Sequence, residues 1–371
     1  MNQQPLSDSS QPTGVRPHTS HSPIRVLLVD DSVLALVILR RILSSAPDIE
    51  VVGTAINGRE ALDLIPQLQP DVICSDLHMP VMDGFEFTKA VMERFPRPIL
   101  VISVSVQGDQ PDNIFQVIDA GAIDVMAKPK GGLESESGIN AQELISKIRI
   151  LAGVVVLRKR GRIEPGAGPV SRSAVSWNGF AQPRIIGIGA STGGPQAFQE
   201  ILSRLPADFS LPLICVQHIS EGFTQGLVDW LSAQCKIRVQ AAATGIVPQQ
   251  GIAYFPQEGT QLMIDQHGRM DCSNEQTYGG HRPSINTTFT SLAQYYGSGA
   301  VGVLLTGMGR DGIEGMQAIA HAGGTTIAQD EESSIVFGMP KEAIAANAVR
   351  YVLSLSDIGT ALARLSHANK R

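Results

Sequence analysis

The first part of the chain alternates short apolar runs with longer amphipathic stretches. The apolar runs predict buried parallel strands at 24–29, 50–55, 71–75, 99–103 and 123–127. Apolar positions with a helical period predict helices at 33–43 (with Ser32 as N-cap), 58–68, 84–95, 112–120 and 140–152. This alternation predicts a doubly wound α/β domain over residues 24–150.

The same alternation resumes after an irregular segment. Residues 151–182 become basic and then rich in Gly, Pro and Ser, which predicts a flexible linker. Strand-like runs follow at 185–189, 211–217, 252–255, 301–305 and 325–328. Residues 1–23 are polar without an apolar core, which predicts a disordered tail. The predicted fold is therefore α/β: two doubly wound parallel-sheet domains, 24–150 and a Rossmann-like 183–371, joined by a flexible linker.

Composition narrows the class of protein. The 371 residues are 43% hydrophobic and 17% charged, which is typical of a globular protein. A net charge of −6 gives no electrostatic reason to expect nucleic acid, and no apolar run reaches the roughly 18 residues of a membrane span. The four cysteines form no C-x-x-C pair, which favours reduced thiols in the cytoplasm.

Polar residues stand at the ends of several strands in the first domain. They are Asp30, Asp31, Asp76, Ser103 and Lys128. Because the carboxyl ends of parallel strands share one edge, these side chains should converge there. Clustered carboxylates need a cation, and oxygen ligands suit Mg²⁺. This placement favours Asp76 as a nucleophile toward a phosphoryl group, with Lys128 offsetting its charge and Ser103 hydrogen-bonding its oxygens.

Each of these residues alone could simply end a strand, but the set is specific. Residues 24–150 resemble a response-regulator receiver domain, through V-D-D at 29–31, S-D-L-H-M-P-V-M-D-G at 75–84, Ser103 and A-K-P at 127–129.

The receiver resemblance implies a phosphorylation site. In it, Asp76 is the phospho-acceptor, and Mg²⁺ is bound by Asp31, Asp76 and the backbone carbonyl of His78, with Asp30 assisting. It also implies Ser103 and Lys128 as the residues that respond to the phosphate, and a cis peptide before Pro129.

A glycine-rich stretch, G-I-G-A-S-T-G-G-P at 187–195, opens the second domain and allows two interpretations. It could cradle a dinucleotide phosphate, or present Ser191 as a nucleophile in a G-x-S-x-G turn. A dinucleotide site should have an acidic residue at the end of the next strand. That strand ends in His218 instead, and Asp208 precedes it. The pattern therefore favours the nucleophile.

A serine nucleophile needs an imidazole to take its proton and a carboxylate to orient that imidazole. His218 follows one strand-like run, and Asp311 follows another in L-L-T-G-M-G-R-D-G. Taken singly, these residues could equally be helix caps or a core histidine. His321 and His281 are alternative bases. His321 lies close to Asp311 in sequence, and His281 is loop-borne and better suited to touching substrate.

Residues 184–350 resemble the catalytic domain of the chemotaxis protein-glutamate methylesterases. The motifs that carry the resemblance lie at 187–195, 216–218, 281–286, 304–312 and 328–340. The resemblance implies a catalytic triad of Ser191, His218 and Asp311, an oxyanion hole formed by the amides of Thr192 and Met308, and no cofactor for the esterase.

The two resemblances together imply a phosphorylation-regulated esterase. It would hydrolyse glutamate methyl esters, and deamidate glutamines, on a chemotaxis-type receptor. A histidine kinase would supply the phosphoryl group, and neither nucleic acid nor membrane insertion would be involved. The linker suggests the hypothesis that the receiver covers the Ser191 cleft until Asp76 is phosphorylated.

The sequence also departs from the family pattern and leaves other functions open. Ser220 replaces an expected proline, and the segment 254–262 ends in Gln261-Leu262, without the family's histidine. Three alternatives stay open: a non-enzymatic regulator, a hydrolase of small esters and, disfavoured by the acidic balance, a DNA-binding regulator.

Overall fold

The computed structural model describes residues 22–104, 114–129, 137–156, 182–274 and 281–368. The predicted tail falls outside these residues except for its last two positions. The predicted linker falls outside them except at its two ends. The domain boundaries at 150 and 183 therefore stay predictions.

The first domain is built on a five-stranded parallel sheet with the order β2-β1-β3-β4-β5, which confirms the predicted doubly wound fold. Its strands are β1 (Ile24–Val29), β2 (Ile49–Ala55), β3 (Val72–Ser75), β4 (Ile99–Ser103) and β5 (Asp124–Ala127). Its helices are α1 (Val33–Leu43), α2 (Gly58–Leu68), α3 (Gly84–Arg94), α4 (Gln116–Ala120) and α5 (Ser137–Leu151).

Both faces of this sheet are buried, which explains why its strands are apolar without alternation. Along β1, Val26 and Leu28 pack in a cluster with residues of α1 and α5. Leu27 and Val29 point to the other face and pack with residues of α2, α3 and α4. Successive side chains of a strand point to opposite faces, so burial on both faces requires an unbroken apolar run.

The second domain is built on a seven-stranded sheet with the order β14-β13-β12-β6-β7-β9-β8, and its pairings are parallel. The strands of the domain are β6 (Ile185–Ala190), β7 (Leu213–Gln217), β8 (Arg238–Ala241), β9 (Ile252–Phe255), β10 (Gln261–Ile264), β11 (Met270–Ser273), β12 (Ala300–Leu304), β13 (Thr325–Gln329) and β14 (Tyr351–Leu353). The helices are α6 (Gly194–Leu202), α7 (Thr224–Gln234), α8 (Ile285–Tyr296), α9 (Ile313–His321), α10 (Met339–Ala345) and α11 (Leu355–Ala368).

Four strands of this domain were not predicted from the sequence. β8 and β14 form the two edges of the sheet, and β10 and β11 pair as a separate antiparallel hairpin. Edge strands are buried less fully: Arg238 and Val352 are exposed. Such strands lack the continuous apolar run by which the central strands are detected.

None of the described helices is long and apolar enough to cross a lipid bilayer.

Candidate functional site

Ser191 occupies the turn between β6 and α6, which is the strand–turn–helix context that a nucleophilic G-x-S-x-G motif requires. Its amide donates to Thr306 O at 3.0 Å, and its carbonyl accepts from Gln217 Nε2 at 2.8 Å. Gly193 has a φ of 77°, and a Cβ there would lie 2.8 Å from Ile335 Cβ. The turn is therefore held by the ends of both neighbouring strands and needs glycine at position 193.

His218 comes directly after β7, and its amide donates to Ala190 O at 3.0 Å. Its Nε2 lies 2.8 Å from Asp311 Oδ2. The two side chains are 12% and 5% exposed, so this contact is shielded from water. Because β6 lies between β7 and β12, the ends of the three strands bring Ser191, His218 and Asp311 to one edge of the sheet.

The Asp311 carboxylate lies at the N-terminus of α8. Besides His218, it accepts from the Ser284 hydroxyl at 3.0 Å and from the amides of Ile285 at 2.7 Å and Asn286 at 3.0 Å. A helix N-terminus stabilises an anion. Burial acts to raise the pKa of Asp311, but the hydrogen bond and charge of His218, with the Asn286 and Ile285 amides, lower it to about 2. Asp311 is therefore an anion at neutral pH.

Three polar groups at Ser191 and beside it have no hydrogen-bond partner among the described residues. Among the described residues, its Oγ makes no hydrogen bond, and the amides of Thr192 and Met308 have no protein acceptor. Hydrogen bonds of catalytic groups are often formed only when substrate is bound. Gly307 lies against the serine, since a Cβ on it would be 2.7 Å from Ser191 Cβ. Unpaired amides at residues 192 and 308 can thus donate to a bound ligand.

The alternative histidines are placed differently. His321 is the last residue of α9 and is exposed, and no described contact joins it to Ser191 or Asp311. His281 stacks on His218, with ring centroids 4.4 Å apart and planes 6° apart. The structure therefore brings His218, rather than either alternative, into contact with Asp311.

In the first domain the carboxylates that were predicted to converge at the sheet edge do lie close together. Oxygen atoms of Asp30, Asp31 and Asp76 lie within 4.8 Å of one another. Lys128 Nζ is 2.8 Å from Asp30 Oδ2 and 2.8 Å from Asp76 Oδ2. Burial raises the pKa of Asp76, although the hydrogen bond and charge of Lys128 oppose the rise. Three clustered carboxylates offer the oxygen ligands that Mg²⁺ prefers, so these residues fit the ion.

Other predicted residues surround this cluster. Ser103 is buried at the end of β4, and its carbonyl accepts from the Lys128 amide at 2.8 Å. The His78 side chain is exposed. Metal binding by its backbone carbonyl stays a prediction. The cis peptide expected before Pro129 was wrong: among the described residues the cis bond is Arg282–Pro283. Lys128 reaches both carboxylates without it, and X-Pro bonds favour trans by about 0.5–1 kcal/mol.

Comparison with known proteins assigns both domains. A family model described as CheB methylesterase matches residues 186–362, and one described as response regulator receiver domain matches residues 26–135. A protein-glutamate methylesterase/protein-glutamine glutaminase of Nitrosospira multiformis is 40% identical over 344 residues, or 92% of this chain and 97% of the relative. This chain belongs to the protein-glutamate methylesterase family.

One further relative agrees with that assignment, and one solved structure is similar to part of the chain. A methylesterase/glutaminase of Methanospirillum hungatei is 40% identical over 92% of this chain and 98% of its own length. The catalytic domain of the Thermotoga maritima CheB methylesterase is 34% identical, covers 50% of this chain and 100% of that one, and superposes with a TM-score of 0.48.

In this methylesterase the receiver domain contacts the catalytic domain. Asp119, in α4, accepts from Trp230 Nε1 at 3.0 Å and from Gln199 Nε2 at 3.1 Å. Gln196 Nε2 donates to Ala122 O at 2.8 Å. Ser220 Oγ accepts from the receiver's strand β5 at 3.4 Å. Gln196 and Ser220 closely follow Ser191 and His218 in the chain, so the receiver lies beside the segments that carry both.

Sequence analysis missed the residues that hold the site in place. Gln217 Nε2 donates to the carbonyls of Ser191 and His218, at 2.8 Å each. Ser284 and Asn286 hold Asp311 and also begin α8. The sequence did contain a signal for Ser284 and Asn286. The segment S-I-N stands before an apolar periodic stretch and so marks a helix N-terminus, where a carboxylate is stabilised.

Replacing Gly307 tests how tightly Ser191, the predicted nucleophile, is held. In Gly307→Ala the new methyl group would lie 2.7 Å from Ser191 Cβ and 3.0 Å from its amide nitrogen, so the serine must move. We expect methanol release from a methylated receptor fragment to fall about 100-fold, the cost of a displacement near 1 Å. Gly153→Ala is the control, because its Cβ would meet only Ile150 O at 3.4 Å. Equal activity in both variants would contradict the placement.

Proposed function

We propose that this protein is a phosphorylation-regulated serine esterase that hydrolyses glutamate methyl esters, and deamidates glutamines, on a chemotaxis-type receptor. The observation that carries the proposal is the shielded 2.8 Å contact between His218 and Asp311 at the sheet edge that also bears Ser191. Relatives named protein-glutamate methylesterase/protein-glutamine glutaminase support the choice of substrate.

In the proposed reaction, Ser191 Oγ attacks the carbonyl carbon of the methyl ester as His218 takes its proton. The Asp311 carboxylate stabilises the imidazolium. His218 then gives the proton to the departing methoxide, so that methanol leaves and a glutamyl ester of Ser191 remains. Water, deprotonated by His218, hydrolyses this ester to glutamate and restores Ser191. With glutamine as substrate the leaving group is ammonia.

The oxyanion of the tetrahedral intermediate is assigned to the amides of Thr192 and Met308. Both amides lack a protein acceptor among the described residues, which supports the assignment. Donors of this kind typically lower the barrier by ~2.7–4 kcal/mol each. The esterase steps are assigned to the residues of this chain and invoke no cofactor.

Regulation is assigned to Asp76 as the acceptor of a phosphoryl group from a histidine kinase. Asp30, Asp31 and Asp76, with the His78 carbonyl, would hold Mg²⁺, which neutralises phosphoryl charge when it is bound. Lys128 lies against the acceptor carboxylate and would pair with the phosphate, and Ser103 would hydrogen-bond it.

Buried, unpaired Cys74 and Cys215 favour a reducing, cytoplasmic setting.

We further propose that the unphosphorylated receiver restricts access to Ser191. The hydrogen bonds of Asp119 and Gln196 join the receiver to α6 and α7, beside the proposed nucleophile. A tether raises the effective concentration of the receiver, so a weak interface suffices to hold it there. Phosphorylation at Asp76 would weaken this contact and admit the receptor.

A substitution in the contact between the two domains should raise the activity of the unphosphorylated protein. Asp119→Ala removes the acceptor of Trp230 and Gln199, which should destabilise the closed arrangement by about 1 kcal/mol, or roughly fivefold. We expect methanol release without phosphodonor to rise about fivefold, up to the level of stimulated wild type. Asp63→Ala, which removes an exposed carboxylate of α2, is the control. Unchanged basal release in Asp119→Ala would refute this interface.

The direct test of the function is methanol release from a methyl-esterified receptor fragment. Wild type and Ser191→Ala are compared, each with and without Mg²⁺ and a small phosphodonor. Release that requires Ser191 and rises with phosphodonor supports the regulated esterase. Release that persists in Ser191→Ala refutes the nucleophile. Hydrolysis of small esters with no response to phosphodonor would favour a simple ester hydrolase.

A further inference from the structure

The His218 ring is covered by a second histidine. The His281 ring lies parallel to it, with centroids 4.4 Å apart and an angle of 6° between the planes. His281 is itself exposed, whereas the His218 side chain is only 12% exposed. One face of the proposed base is therefore occupied by His281 rather than by water.

The backbone that carries His281 is clamped by a buried side chain. Gln261, in β10, is 1% exposed, and its Nε2 donates to His281 O at 2.7 Å. Its Oε1 accepts from the Ser284 amide at 2.8 Å. The Ser284 hydroxyl in turn donates to Asp311 Oδ1 at 3.0 Å. One side-chain amide thus holds both ends of the segment that touches His218 and Asp311.

This arrangement supplies what the contact with Asp311 alone lacks. A single hydrogen bond at Nε2 leaves the imidazole of His218 free to tilt about that bond. A ring stacked on its face removes this freedom. Partial desolvation lowers the pKa of His281, as does the charge of His218, while Asp311 acts to raise it. A neutral His281 can lie against an imidazolium without charge repulsion.

We propose that His281 is a positioning residue: anchored by Gln261, its ring fixes the plane of the His218 imidazole so that the nitrogen not bonded to Asp311 can take the proton of Ser191. This inference rests on the proposed function. It also differs from the expectation that His281 touches substrate, since a substrate contact would alter binding, whereas a positioning role alters the chemical step.

The first test separates these two roles by kinetics of methanol release. We expect His281→Ala to lower kcat about 10- to 100-fold, the cost of a misdirected base, with KM within about twofold of wild type. His281→Phe keeps an aromatic face and should recover kcat to within about threefold of wild type. A rise in KM without recovery in His281→Phe, or unchanged kcat in His281→Ala, would overturn the proposal.

A second variant acts on the anchor without touching the ring. Gln261→Glu keeps an acceptor for the Ser284 amide but loses the donor to His281 O. We expect its kcat to lie between wild type and His281→Ala, with KM unchanged. Gln257→Glu is the control for loss of a side-chain amide donor, because Gln257, at an exposed position of the same domain, donates through Nε2 to Ala242 O at 2.9 Å. Equal kcat in the two glutamate variants would argue against the anchor.

A receptor-independent readout separates this inference from the proposed function. An alkyl phosphonofluoridate phosphonylates an activated serine directly, with fluoride as the leaving group, and its labelling rate is measured for wild type, His281→Ala and His281→Phe. We expect the alanine variant to label more slowly by the same factor as its kcat. Wild type that does not label would refute the serine esterase itself. Labelling at equal rates in wild type and His281→Ala would refute only the positioning role.

Discussion

Asp311→Asn is expected to lower kcat for methanol release on the order of 10³- to 10⁴-fold. The Asp311 carboxylate lies 2.8 Å from His218 Nε2 and also accepts hydrogen bonds from two backbone amides of α8. An asparagine has one acceptor oxygen and presents N–H groups where donors already point. His218 would therefore lose its orientation and the charge that stabilises its protonated form.

The control for this variant is another carboxylate at a strand end of the same domain. Asp330 follows β13 and accepts from the amide and hydroxyl of Ser333, at 3.0 and 2.6 Å, without contacting a histidine. Asp330→Asn should keep activity within about twofold of wild type. An Asp311→Asn enzyme with more than a tenth of wild-type kcat would show that the proposed triad does not operate.

Asp76→Asn is expected to abolish the response to phosphodonor completely. An amide cannot accept the phosphoryl group as an acyl phosphate, and the cluster loses one of its three carboxylates. The ratio of methanol release with and without phosphodonor should therefore fall to one. Mass spectrometry should find no phosphorylated protein. Removing Mg²⁺ with a chelator should give the same ratio in wild type, because clustered carboxylates need the cation.

Asp83→Asn is the matched control for Asp76→Asn. Asp83 stands seven positions further along the chain, where its carboxylate caps α3 by accepting from the Glu86 amide at 2.8 Å. Its response to phosphodonor should match wild type. Stimulation that survives in Asp76→Asn would mean that the phosphodonor acts elsewhere on the protein.

The central strands and the polar residues that follow them were predictable from the sequence. Asp30, Asp76, Ser191 and His218 each come directly after an apolar run that is a buried strand in the structure. The reason is local: a strand buried on both faces must be apolar throughout, and parallel strands end at one edge. The edge strand β14 (Tyr351–Leu353) was missed because its side chains are only partly covered.

The contacts that shape the site were decided only by tertiary structure. Sequence spacing could suggest Asp311 as a partner of His218. It could not indicate that the N-terminus of α8 would hold the Asp311 carboxylate, or that Gln261 would hold His281 against His218. Nor could it indicate that Asp119 would meet Trp230. Each of these contacts joins residues 20 or more positions apart. The order of strands in the sheet and the packing of loops against it determine such contacts, and neither is encoded in a local pattern.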